Sequence, residues 1–132
     1  IQPPELVRAP RVLLVDAANV IGSRPTGWWS HRPGAAQEFV ARVRQAVAAG
    51  TLAPGVVLVL EGRYRRGAKE FRIAGLEVVH APGHGDDTLV DVATGGKTPV
   101  VLVSADRLLG DRVRSVGAEV VGPTWLLDRL HP

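Results

Sequence analysis

Apolar residues fall in five short, dense runs along this chain. Val12–Val15 ends at Asp16, and Gly55–Leu60 (GVVLVL) ends at Glu61. Leu76–His80 (LEVVH) and Pro99–Val103 (PVVLV) follow, and Ala118–Val121 is a weaker fifth. The runs are rich in β-branched residues and mostly do not alternate with polar ones. Strands covered on both faces read this way, as in a parallel sheet, because neither face needs a polar side. Between the runs the period changes. Ala36, Phe39, Val40, Val43 and Val47 recur at helical spacing after Pro33 and Gly34. Glu38 and Arg42 share the polar face of that helix, and Gly50 is its stop. A second helix is predicted from about Asp86 to Gly95 and Gly96, with Leu89, Val92 and Ala93 inward. A third runs from about Arg107 to Gly117, with Leu108, Leu109, Val113 and Val116 inward. Pro123 suits a first helical turn and opens a closing helix, Thr124–Leu130. The stretch 62–74 has a poor pattern, with room for one short helix. Strand alternating with helix predicts an α/β fold, a three-layer α/β/α sandwich around a mainly parallel sheet of about five strands. The proline-rich residues 1–10 read as an extended arm ahead of a single domain, 11–132.

Composition narrows the classes. A chain of 132 residues suits one domain that buries its own core without staples. No apolar run approaches the roughly 18 residues of a membrane span. The opening IQPPELVRAP lacks the apolar stretch of a secretory signal, so a cytoplasmic protein is expected. A start at Ile1 and the lack of methionine leave open that the sequence is part of a longer product. Having no cysteine excludes disulfides, thiolate metal sites and cysteine nucleophiles together. The net charge is +3, and of the sixteen cations only Lys69 and Lys97 are lysine. That arginine excess reflects either a compositional bias that also favours Ala, Gly, Val and Pro, or contact with phosphate through bidentate guanidinium groups. Position decides between them.

The acids are the more informative charges. Asp16 ends the first strand, Glu61 ends the second, Asp86 and Asp87 open the helix after the third, and Asp106 follows the fourth by two residues. In an open parallel sheet all carboxyl ends share one edge, where ligands bind. The alternation therefore gathers these acids on a single rim, with Asp91 one helical turn beyond Asp87 and Asp111 in the early turns of the next helix. Clustered carboxylates repel, and a cation relieves them. Hard oxygen donors without cysteine suit Mg²⁺ or Mn²⁺, ions that activate water and neutralise charge on a phosphodiester. Asn19, three residues after Asp16, is placed to orient the water or hold a phosphate oxygen. Each acid also has a structural reading. Asp86, Asp87 and Asp106 stand where helix caps are common. Glu61 pairs as well with Arg63, and Asp91 and Asp111 as well face solvent. Asp16 is harder to explain away, because an acid ending a strand inside VDAAN has no helix to cap at once.

The strings LLVDAANVIG, GHGDDTLVD and VVLVSADRLLGDRV resemble, in order and spacing, the NYN branch of the PIN-like nucleases, near its YacP-like members. The resemblance spans about residues 11–122. It implies a PIN-like, Rossmann-like sandwich and metal-dependent cleavage of RNA. It also implies a catalytic set of Asp16, Asn19, Asp86, Asp87 and Asp106. By the same resemblance Asp16, Asp87, Asp106 and Asp111 would be the metal ligands, and Ser104 would stand beside the substrate. Ala17 occupies a position where many relatives have glycine.

Two cationic stretches reach the same rim. Arg24, Trp28, Trp29, His31 and Arg32, in GSRPTGWWSHRPG, offer stacking and phosphate contacts of the kind single-stranded RNA sites use. One tryptophan is equally readable as packing under the first helix. Arg63, Tyr64, Arg65, Arg66 and Lys69 follow the second strand, as phosphate contacts or as a solvated loop. His80 reads as structural and His84 as a loop residue. TGGKT is not a phosphate loop: the first glycine of that motif falls on Asp91, and the string follows a helix. A dehalogenase-type DxD fails at Ala18, and no GxSxG or GxGxxG is present. The expectation is an Mg²⁺- or Mn²⁺-dependent endoribonuclease. A non-catalytic RNA-binding or scaffold module and a small-nucleotide phosphohydrolase are the alternatives.

Overall fold

A computed structural model of the chain describes residues 11–23 and 32–130, with the side chain of Arg32 excepted. The predicted arm, and Arg24, Trp28, Trp29, His31 and the Arg32 side chain, lie outside the described residues.

Six strands form one sheet: β1 (Val12–Asp16), β2 (Val56–Leu60), β3 (Phe71–Ile73), β4 (Leu76–His80), β5 (Val100–Val103) and β6 (Glu119–Val121). Their order is β3-β4-β2-β1-β5-β6, and every pairing is parallel except β3 with β4. The helices are α1 (Ala17–Gly22), α2 (Arg32–Ala49), α3 (Gly85–Gly95), α4 (Arg107–Arg114) and α5 (Pro123–Leu130). A 3₁₀ turn, Gly62–Gly67, follows β2.

The sheet separates two cores. Helices α1, α2 and α5 cover one face, burying Ile21, Phe39, Val43 and Leu126 against Val15, Leu58 and Leu60. Helices α3 and α4 cover the other, burying Leu89, Leu109 and Val113 against Leu14, Val59 and Leu102. The all-buried pattern of β5 is what a strand lying between two helical layers requires. This is the expected three-layer α/β/α sandwich around a mainly parallel sheet. Both predicted marks of α2 are present: Arg42 Nε donates to Glu38 Oε1 at 2.9 Å, and Gly50 takes a left-handed φ of +79°.

Three expectations change. The sixth strand is β3, which lies inside the stretch 62–74 read as at most a short helix. It pairs with β4 through the two-residue turn Ala74-Gly75, where Gly75 has φ +85°. Three residues are too few for a period of two to stand out. Helix α4 ends at Arg114 instead of Gly117, and its inner face is Leu109, Gly110 and Val113. Leu108, expected inward, is 76% exposed, since one residue along a helix turns the side chain through about 100°. Val116 lies beyond the helix and is also exposed.

Candidate active site at the carboxyl edge of the sheet

The connection leaving β1 runs to β2 on one side, and the one leaving β5 runs to β6 on the other. Adjacent strands whose connections diverge open a crevice at their carboxyl ends, the usual ligand position of such sheets. The register fixes what meets there. Val15 pairs with Val103, so the next residues in line are Asp16 and Ser104. On the other side Asp16 pairs with Val59, two residues before Glu61.

Asp16 is only 5% exposed and Ser104 only 3%. The Ser104 hydroxyl donates to Asp16 Oδ2 at 3.0 Å and accepts the amide N–H of Asp106 at 3.1 Å. Asp16 Oδ1 accepts the Asn19 amide at 3.4 Å, and Asp16 is the N-cap of α1. Asn19 Oδ1 in turn accepts the Ala105 amide at 2.8 Å, tying α1 to the β5–α4 turn across the crevice. Asp106 caps α4 through the Leu109 amide at 3.0 Å. The result is a chain of satisfied groups that fixes Asp16 from both sides.

Holding that carboxylate costs free energy. Burial pushes the Asp16 pKa up from 3.8 to about 6, opposed by the hydrogen bonds from Ser104 and Asn19 and reinforced by the nearby charges of Glu61 and Asp86. Glu61 is steered into this neighbourhood by the Gly85 amide, which donates to its Oε2 at 3.2 Å. That amide is one of the unpaired N–H groups at the start of α3.

The structure brings together Asp16, Asn19, Ser104 and Asp106, and sets Asp86 and Glu61 close enough for their charges to act on Asp16. It does not bring in the rest of the expected ligand set. Asp87 turns outward, its side chain 81% exposed, and pairs with Arg112 at 3.0 Å. Asp111, 75% exposed, pairs with Arg114 at 3.6 Å. Successive helix positions point about 100° apart, and here Asp86 takes the side whose charge reaches Asp16 while Asp87 takes the side of Arg112. Ser104, expected against substrate, spends its hydroxyl between two acids. Asp16 does have a helix to cap, since α1 begins at the very next residue. Asp91 and His84 are exposed, and His80 Nε2 bonds the Ala68 carbonyl at 2.7 Å, as a structural histidine. Glu61 is the residue the sequence reading left outside the set. Its signal was present, since an acid ending the strand beside β1 must stand on the same edge.

Among the described residues no three acidic or histidine side chains converge closely enough to grip a metal ion between them. Mg²⁺ does not require three: it keeps several waters and is commonly held by one or two carboxylates together with substrate phosphates. A buried Asp16 with like charges nearby is hard-oxygen chemistry that fits such an ion.

Arg63, Arg65 and Arg66 stand on the 3₁₀ turn at the same edge, beyond Glu61. No helix among the described residues is long and apolar enough to cross a membrane. No protein-family model and no curated protein matches the chain. Among solved structures it is similar to the crystal structure of a point mutant of Rae1 (YacP) from Bacillus subtilis. The TM-score is 0.64 at 17% identity, covering 90% of this chain and 73% of that one, so the fold is YacP-like.

Proposed function

We infer that this chain is an endoribonuclease that hydrolyses RNA phosphodiester bonds at the crevice between β1 and β5, with Mg²⁺ or Mn²⁺ as cofactor. The observation that carries this reading is Asp16: a carboxylate fixed from both sides, buried, and pushed to a pKa of about 6 by burial and by Glu61 and Asp86. The cap of α1 accounts for the contact with the Asn19 amide but not for the burial or the bond from Ser104. Perturbed acids in a ligand crevice are the mark of a working site. The resemblance of the three sequence strings to PIN-like nucleases supports the choice of RNA, and the YacP-like fold agrees with that resemblance.

Asp16 and Asp86 would hold the ion, which supplies charge neutralisation at the phosphate and an activated water. The protein's share is position. Ser104 and the Asn19 amide keep Asp16 aimed and lower its pKa, so that it is ionised at neutral pH. Glu61, held by Gly85, would accept a proton from that water. The side-chain amide N–H groups of Asn19, whose oxygen is already engaged, remain as donors for a phosphate oxygen.

The test is incubation of end-labelled single-stranded RNA with Mg²⁺ or Mn²⁺, comparing wild type with Asp16→Asn and Asp86→Asn. The reading predicts cleavage by the wild type, at least about a hundredfold loss in both variants, and none in chelator. Equal cleavage by wild type and Asp16→Asn would refute it. The absence of three converging acids among the described residues favours the second reading, a non-catalytic RNA-binding module. That reading predicts RNA retention in chelator and no metal-dependent product.

A further inference from the structure

The 3₁₀ turn after β2 is pinned at both ends. Arg65 Nε donates to the Gly62 carbonyl at 3.1 Å and Nη1 to the Ala81 carbonyl at 3.2 Å. At the other end Gly67 lies flat on α2. A Cβ there would sit 2.8 Å from the Gln37 nitrogen, and closer still to Ala36 Cβ and the Pro33 carbonyl. His80 is held by its Ala68 bond and by Glu70, whose Oε2 takes the His80 amide at 2.8 Å. On this fixed base Arg63 and Arg66 are exposed, and neither makes a hydrogen bond or ion pair among the described residues.

Gly62, Arg63, Arg65, Arg66 and His80 line an open concavity of about 520 Å³, and no acid among the described residues lines it. A second concavity, about 370 Å³, is lined by Ala18, Glu61, Gly62, Arg63 and Tyr64. The two share Gly62 and Arg63. One end of the trench therefore carries Glu61, whose charge acts on Asp16, and the other is lined by three arginines. Two exposed guanidinium groups with no ion pair among the described residues, on a preordered base, suit a phosphate, whose oxygens match the guanidinium fork.

We propose that Arg63 and Arg66 form a phosphate clamp for the backbone of a nucleotide flanking the one at Asp16. Arg65 also lines the concavity but commits its guanidinium to the Gly62 and Ala81 carbonyls, and serves as the strut that holds the turn in shape. The proposal rests on the RNA reading above and adds to it the path of the strand, from the crevice over Gly62 to the 3₁₀ turn. It also divides the three arginines, which the sequence offered as equivalents, into two phosphate ligands and one support.

The experiment measures binding of fluorescein-labelled single-stranded RNA by anisotropy, in chelator, across a salt series. The protein is the full chain carrying Asp16→Asn, so that binding is read without cleavage. Adding Arg63→Ala and Arg66→Ala should weaken binding about tenfold or more. It should also flatten the slope of log affinity against log salt by about 0.7 for each phosphate that is no longer neutralised. Lys97→Ala with Arg72→Ala, at exposed cations outside the trench, should leave affinity within about twofold. Arg63→Lys with Arg66→Lys should recover most of the salt slope but not all of the affinity, because charge returns without the fork. Circular dichroism and melting of each variant confirm the fold. Unchanged RNA affinity in the alanine pair would overturn the clamp while leaving RNA cleavage by wild type standing. Failure of the parent to bind RNA, together with no cleavage by wild type, would overturn the functional reading and the clamp with it.

Discussion

Replacing Asp16 by asparagine removes the charge that folding has to carry into a site only 5% exposed. The native pKa of about 6 stands above the ordinary value of 3.8, so the folded chain holds the proton more tightly than the unfolded one. The sign follows: the penalty is absent below about pH 4, grows as pH rises toward 6, and is complete above it. At 1.36 kcal/mol for each unit of pKa, the full penalty is about 3 kcal/mol. Asparagine keeps the shape and the partners. Its Oδ1 can accept the Asn19 amide, and its Nδ2 can donate to Ser104 Oγ, which has a second lone pair beyond the one taken by Asp106, although the Ser104 O–H then loses its acceptor, which offsets part of the gain. Asp16→Asn is therefore expected to be inactive yet more stable than wild type at pH 7, by about 1–3 kcal/mol, with the difference vanishing near pH 4. Denaturant unfolding of both proteins at unit steps from pH 4 to 7 measures this. Taking the difference cancels every other titrating group. A variant less stable than wild type at pH 7, or a difference that does not change with pH, would refute the reasoning.

Other expectations concern the neighbouring residues. Ser104→Ala takes away a bond that lowers the Asp16 pKa, so the acid limb of the cleavage profile should move to higher pH; the orphaned Asp106 amide should cost about 1–3 kcal/mol in unfolding experiments. Gly67→Ala forces the 3₁₀ turn off α2, and overpacking of this kind should cost about 1–3 kcal/mol and weaken RNA binding even though no arginine is touched. Arg112→Ala breaks only the exposed pair with Asp87, so denaturant melts should shift by less than about 1 kcal/mol and cleavage should be unchanged. Phe39→Ala, in the fully buried core beneath α2, should cost about 3–5 kcal/mol by the same melts.

Much of the fold was legible because its signals are repetitive. Each of the five dense apolar runs became a parallel strand, and the 3.6-residue period of Phe39, Val40 and Val43 set the inner face of α2. What failed was short or depended on a neighbour. Three-residue β3 exists because β4 offers it a partner, and Leu108 is outward because Leu109 and Val113 take the sheet side. At the site, position along the chain gave the edge but not the direction of each side chain. Asp16 and Glu61 end adjacent strands, so the register carries them to one place. Asp86 and Asp87 are consecutive on a helix, and only packing against α4, with Arg112 waiting there, decides which of them turns away. Ser104 was legible as a member of the site but not in its role, which depends on standing in line with Asp16 across two strands.

Asp16 is a costly charge, and its place in the functional reading is that of a group kept for a cation and a phosphodiester. Carboxyl-carbon NMR of labelled protein, following the Asp16 resonance through a pH titration with and without Mg²⁺, examines that charge directly. The expected midpoint is about 6 in the free protein, with Asp16→Asn confirming the assignment, and Mg²⁺ should lower it by a unit or more. A midpoint at the ordinary value near 3.8, unmoved by saturating Mg²⁺, would contradict the account.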